Sequence, residues 1–199
     1  MKRIIYICSA VVLLAAACTK DISKLNVDPK NPSQSPSKAF FTNAQRSLSN
    51  TLTSSNVNLN IFRLIVQQWQ ETQYPDESQY DLGTREINDN LWNAMYRDVL
   101  RDLQETKTLI PTDVTDANIQ KNQLAIVEIM QVYTYYYLVT AYGNIPYSDA
   151  LDINKPFPKY DDANTIYGDL LTRLTTAIGN LSTSAESFGS ADLITTTDT

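Results

Sequence analysis

The sequence predicts an all-α protein built from antiparallel helix pairs. Two observations carry that prediction. Apolar side chains recur every third or fourth residue through five segments, the spacing that lines one face of a helix. The breaks between these segments collect Pro, Gly, Asp and Asn, and no stretch gives a convincing strand. The chain has 199 residues, enough for one moderately large domain with a sizeable core. Sixteen basic residues stand against 22 acidic ones, for a net charge of −6. A surface that tracks phosphates needs a basic patch, which this sequence does not offer, so no nucleic-acid partner is expected.

Residues 1–17 read as a secretory signal peptide. Lys2 and Arg3 form a positive start, Ile4 to Leu14 an apolar run, and Ala15, Ala16 and Ala17 a small-residue cleavage site. The run is about half of the roughly 20 apolar residues that a membrane-spanning helix needs. Cleavage after Ala17 leaves Cys18 first in the mature chain and its only cysteine, so neither an intrachain disulfide nor a cysteine metal site can form. A lone thiol at a secreted N-terminus, followed by polar chain, reads as a lipid attachment point. Acyl chains contribute about 0.8 kcal/mol per buried methylene, enough for stable anchoring without a spanning helix. Residues 18–36 then form the lipidated N-terminus and a tether, either flexible or strapped over the domain by Leu25 and Val27. Pro29, Pro32 and Pro36 disfavour helix in the residues before them.

The helical-repeat domain is expected over 37–181. Ser35 can cap its first helix, with Pro36 in the first turn, where a missing N–H costs nothing. Phe40, Ala44, Leu48 and Leu52 make an apolar face to about residue 53. Leu59, Phe62, Ile65, Val66 and Trp69 suggest a second helix over roughly 58–72. From Gln67 to Arg85 the chain is rich in amides, carboxylates and rings, and Pro75 and Gly83 favour a long loop. Its rings, Trp69, Tyr74 and Tyr80, serve either as plugs packed into the domain or as a platform for a sugar or peptide.

Ile87, Leu91, Met95, Val99 and Leu103 define the third helix, which Pro111 should end. The fourth, about 117–141, is apolar or aromatic nearly all round, as a helix packed on more than one side should be. Gly143 is expected to terminate it, Pro146 to fix an extended turn, and Tyr147 to pack the connector onto the helices or, alternatively, to touch ligand. Asp161 or Asp162 caps the last helix, about 163–181, through Ile166, Leu170, Leu174 and Ile178. Residues 182–199 are small, polar and aperiodic: a polar tail or the start of a further region. The helix pairs suggest a tetratricopeptide-like stack, although the helix starts keep no strict 34-residue period.

Catalytic chemistry has little to work with. The chain contains no histidine, which removes imidazole-based triads and HExxH zinc sites. No GxGxxG or phosphate-loop signature occurs, so no cofactor is expected. The acidic pairs Asp76-Glu77 and Asp161-Asp162 are better explained as solvated charge or helix caps than as glycosidase carboxylates or calcium ligands. No catalytic residue and no metal site is predicted.

Several stretches resemble one family. The lipobox-like AAAC, the following KDISKLNVDPKNP, the run QQWQETQYPDESQY and above all YYYLVTAYGNIPYSDAL are similar to the SusD/RagB family of nutrient-binding outer-membrane lipoproteins of Bacteroidota. The most specific match is Tyr142-Gly143-Asn144-Ile145-Pro146-Tyr147-Ser148-Asp149-Ala150. Lys20-Asp21 after Thr19 resembles the acidic export signal that sends such lipoproteins to the cell surface. The resemblance implies a non-enzymatic, surface-facing protein, lipid-anchored at Cys18. It would capture oligosaccharides or peptides and deliver them to a partner TonB-dependent outer-membrane transporter. A helical scaffold that grips the transporter without binding nutrient is the alternative. Family members are commonly much longer, so the resemblance also implies that this is an N-terminal portion.

Overall fold

The computed structural model describes residues 35–194. Contacts divide the chain between Ser35 and Pro36. The signal peptide, Cys18 and all of the tether up to Gln34 lie outside the described residues. The fold of the second unit is all-α apart from one minimal two-stranded sheet.

Helix α1 (Ser37–Thr53) forms where the apolar spacing predicts it. Its buried face is Phe41, Ala44, Gln45, Leu48 and Thr51, so Phe40 and Leu52 flank the stripe rather than lead it. The expected cap by Ser35 is replaced. Pro36 occupies the cap position with extended backbone, and the Ser37 N–H donates to Asp113 Oδ2 at 2.6 Å. A carboxylate 76 positions away thus satisfies one of the N–H groups that a helix start leaves open.

The helix expected over 58–72 shrinks to a single turn, α2 (Phe62–Ile65). Gln67 adopts a left-handed φ of 57°, which ends the helical path, and its side-chain amide turns to the Ser78 carbonyl at 2.9 Å. With Val66 and Trp69 exposed, the apolar stripe that suggested a longer helix has no surface to bury against. The loop that follows holds one 3-10 turn, Glu77–Gln79.

The third predicted helix is continuous but not uniform. It starts as α3 (Asn88–Asn93), widens to a π-helical stretch over Ala94–Leu100 and resumes as α4 (Arg101–Asp113). The wider turn changes which residues face inward. Val99 and Leu100, adjacent in sequence, are both fully buried, so neighbours cover this stretch over a broad face rather than along one row. Pro111 does not stop the helix, which runs two residues further to Asp113. In the last turn only one intrahelical N–H is lost, so the proline is tolerated there.

The short link Val114–Asp116 turns the chain into α5 (Ala117–Tyr142), capped by Asp116 accepting from the Asn118 and Ile119 N–H groups. Gly143 ends α5 at φ 77° and ψ −118°, a conformation open to glycine alone among common residues. The connector forms β1 (Ile145–Pro146) and β2 (Tyr160–Asp161), antiparallel with Ile145 opposite Asp161 and Pro146 opposite Tyr160. Helix α6 (Ala163–Asn180) is capped by Asp162, whose side chain accepts from the Thr165 N–H.

Side-chain partners set the directions. Asn43 meets Asp102 and Ser37 meets Asp113, so α1 runs antiparallel to α4. Lys107 meets Glu128 and Gln104 meets Gln131, which makes α4 and α5 antiparallel. Glu128 meets Arg173 and Tyr136 lies beside Tyr167, so α5 and α6 are antiparallel too. The core lies between these pairs, around Phe41, Met95, Leu103, Ile110, Val127, Leu138 and Ile166.

The segment after α6 folds back instead of trailing away. Phe188 is 1% exposed and stacks on Phe41 with ring centroids 3.7 Å apart. Gln45, buried on α1, donates to Asp192 Oδ1 at 2.8 Å and accepts from the Leu193 N–H at 2.6 Å. One aromatic ring and two buried polar groups hold a stretch in which sequence periodicity finds no element.

Candidate functional site

The loop from Gln67 to Arg85 is held from inside by an ion pair. Glu77 is 1% exposed, and its Oε2 accepts from Arg85 Nη1 at 2.9 Å. The same guanidinium donates to the Tyr74 carbonyl at 3.3 Å and to Asn58 Oδ1 at 3.2 Å, tying the loop to the turn before α2. Ser78 Oγ accepts from the Glu71 N–H at 3.0 Å, and the Tyr80 hydroxyl donates to the Ile65 carbonyl at 3.0 Å. Burial, a hydrogen bond with Glu77 and repulsion from that carboxylate raise the Glu71 carboxyl above its ordinary value.

On this frame the three predicted rings are placed differently from one another. Trp69 is 44% exposed with the Arg63 guanidinium 4.9 Å from its ring centre. Tyr74 is 70% exposed, and Arg85 lies 5.3 Å from its ring centre. Tyr80 is 60% exposed and anchored through its hydroxyl. No ring contact joins the three to one another among the described residues. Tyr74 and Tyr80 both adopt left-handed backbone, φ 56° and 65°, which costs a bulky side chain of order 1–3 kcal/mol. The loop therefore keeps rings on its surface at a conformational cost, with cationic groups against two of them. Core packing of these rings, the alternative considered for them, is absent.

The Gly143, Pro146 and Tyr147 motif lies elsewhere, beside a polar cavity of about 230 Å³ lined by Gln131, Tyr135, Tyr147, Asp169 and Arg173, among others. Ile145 is fully buried, and the Pro146 carbonyl accepts from the Tyr96 hydroxyl at 2.6 Å. The Tyr147 ring packs edge-on to Tyr135 at 4.8 Å. Its hydroxyl donates to Asp169 and accepts from Arg173 Nη1 at 2.6 Å. Burial first, and the hydrogen bond to Asp169 second, push the Tyr147 hydroxyl up to about 12. Asp161 does not cap α6; its carboxylate accepts from the Tyr147 and Ser148 N–H groups, closing the connector on itself.

Arg173 organises this region. Its Nε donates to Glu128 Oε1 at 2.5 Å, while Lys107 Nζ donates to Glu128 Oε2 at 2.7 Å. Burial alone would raise the Glu128 carboxyl, but hydrogen bonds from Arg173 and Lys107 hold it below its ordinary value. Burial would likewise lower Arg173, yet Glu128 and Tyr147 keep it firmly protonated. The cluster links α4, α5, α6 and, through the Tyr147 hydroxyl, the connector. Sequence reasoning missed Glu128, Lys107 and Arg173. One signal was present: Glu128 is the lone charge in an otherwise apolar and aromatic stretch of α5. Glu77, expected with Asp76 to be solvated charge or a helix cap, is instead buried and paired with Arg85. Arg63 and Arg85 were missed, because their partners lie across an irregular loop where no periodic spacing marks them.

Among the described residues no helix is long and apolar enough to cross a membrane, and no group of three or more His, Cys, Asp or Glu could hold a metal ion. Antiparallel helix pairs, with exposed rings and amides on a pinned loop, define the class of this protein as all-α. Residues 29–199 match the SusD-like family model described as starch-binding and associating with the outer membrane, and the chain belongs to that family. No curated protein matches the sequence.

Proposed function

We propose that this chain binds oligosaccharide at the loop carrying Trp69, Tyr74 and Tyr80 and delivers it to a partner TonB-dependent outer-membrane transporter. It would stand on the outer membrane by lipid at Cys18, facing the surface. The observation that carries this reading is the pinned loop itself: three exposed rings, two of them on left-handed backbone, over an ion pair between the buried Glu77 and the partly exposed Arg85. Aromatic faces stack on the C–H faces of sugar rings, while Gln, Asp and Arg side chains around them bond hydroxyls. Holding the rings in place before ligand arrives reduces the ordering cost of binding. The family's description as starch-binding favours a glycan over a peptide.

Calorimetry of the chain against malto-oligosaccharides tests this, with short peptides run in parallel. Trp69→Ala should weaken glycan binding by about 1–3 kcal/mol, the usual effect of truncating an aromatic anchor. Circular dichroism must show the variant's helices intact. Heat with peptides alone would move the ligand class to peptide. The absence of heat with either would leave the loop structural and favour the scaffold reading, in which the chain grips the transporter only.

A further inference from the structure

A second cavity, of about 410 Å³, opens between α5 and α6 and shares Lys107 and Arg173 with the polar cavity beside Tyr147. It falls within the roughly 300–1,000 Å³ typical of small-molecule pockets. Lys121, Leu124, Ala125 and Glu128 form its α5 wall, spaced so that all four share one side of the helix. Arg173, Thr176, Ala177 and Asn180 repeat that spacing on α6. The two helices are antiparallel, so Glu128 meets Arg173 at one end, and Lys121 and Asn180 belong to the other, about 10 Å away along the axis. Between the ends Leu124, Ala125 and Ala177 make an apolar floor.

The charge lining this space is positive. Three cations, Lys107, Lys121 and Arg173, face it with one carboxylate, Glu128, although the chain holds 22 acidic residues to 16 basic ones. Both Glu128 oxygens are already engaged, by Arg173 and Lys107. Arg173 keeps two of its five N–H groups after bonds to Glu128, Tyr147 and Gln131. At the far end the Lys121 and Asn180 side chains have no hydrogen-bond or ion-pair partner among the described residues. The walls therefore supply more N–H donors and more positive charge than their own acceptors take up.

We infer that this cavity binds a small organic carboxylate. The carboxylate meets Lys121 and Asn180, and the body lies over the floor with its far edge toward Arg173. Hydrogen bonds from an ammonium group are strongest to an ionised acceptor, which selects an anion at the Lys121 end. The floor selects the class of anion. Inorganic phosphate is polar on every side and would lose water bonds against Leu124 and Ala177, whereas a carboxylate carried on an apolar face covers them. Trp69, Tyr74 and Tyr80 do not line this cavity, so the inference holds whichever ligand the aromatic loop takes.

Calorimetry and amide NMR of the purified chain with benzoate test this. Benzamide serves as the uncharged isostere and inorganic phosphate as the anion without an apolar face. Benzoate should bind saturably, shift the amide signals of Ala125, Ala177 and Asn180, and bind at least tenfold more tightly than either comparison compound. Lys121→Gln should weaken benzoate at least fivefold with an unchanged thermal melt, since the Lys121 side chain bonds nothing in the fold. Arg46→Gln removes the same charge from an exposed position on α1 outside the cavity, and it should leave the affinity within twofold, as should Trp69→Ala. No saturable binding at millimolar benzoate, equal binding of benzamide or phosphate, or shifts confined to other residues would overturn the inference. So would unchanged affinity in Lys121→Gln, or an equal loss in Arg46→Gln or Trp69→Ala.

Discussion

Glu128 shows how one side chain can hold several elements together. It lies on α5 and accepts from Arg173 of α6 and Lys107 of α4, with its side chain 21% exposed. Replacing it with Gln leaves the two cations facing a neutral amide, and urea unfolding should report a loss of about 2–3 kcal/mol. Its folded carboxyl titrates below the ordinary value of 4.5, so the stabilisation is fully present above that value. It is lost as pH falls through the lower folded value. The acid limb of stability against pH should therefore be shallower in Glu128→Gln than in the parent chain. Equal slopes would mean that the cluster is too well screened to matter. Tyr147 belongs to the same unit. The motif around it was legible in the sequence as a turn, but the hydroxyl's partners, 22 and 26 positions away, were not.

The elements divide by how they are stabilised. Helices α1, α5 and α6 appear where apolar periodicity, an acidic cap or a terminating glycine predicts them, because α1 and α6 each bury a stripe that local spacing reveals and α5 is a long apolar run closed by Gly143. The single turn α2 and the π-helical stretch depart from the pattern, since both depend on what neighbouring elements offer. Exposure of Val66 removes the reason for a longer α2, and burial of both Val99 and Leu100 shows the π-helical stretch covered by neighbours over a broad face. The segment after α6 is the strongest case of tertiary control. Phe188 fills a place on α1 against Phe41, so Phe188→Ala should cost about 3–5 kcal/mol, the range for a deleted core ring. Thermal or urea unfolding with circular dichroism reads this directly. A loss below about 1 kcal/mol would show that the segment contributes little to the core.

At the scale of the whole molecule, the proposed membrane attachment depends on a single atom, the Cys18 sulfur. Cys18→Ser should abolish incorporation of labelled fatty acid and move the chain out of the membrane fraction, because a hydroxyl does not form the thioether that carries the lipid. Equal labelling of both forms would exclude lipid attachment at this residue. Two strands of evidence meet in the rest of the chain: a helix-pair scaffold and a family match over residues 29–199. By itself the sequence determined the helical class, most helix positions, the turn at Gly143 and the family resemblance. These rest on interactions within about four residues or on short contiguous motifs. Only the tertiary structure decided that Asp113 caps α1, that Arg85 and Glu77 hold the aromatic loop open to solvent, and that Phe188 closes the core. The Asp113 and Phe188 contacts join residues far apart in the chain, and the Glu77–Arg85 pair, 8 positions apart, spans an irregular loop with no repeat to reveal it; the partner of a buried charge or ring is fixed by where packing brings the chain together, which no local pattern encodes.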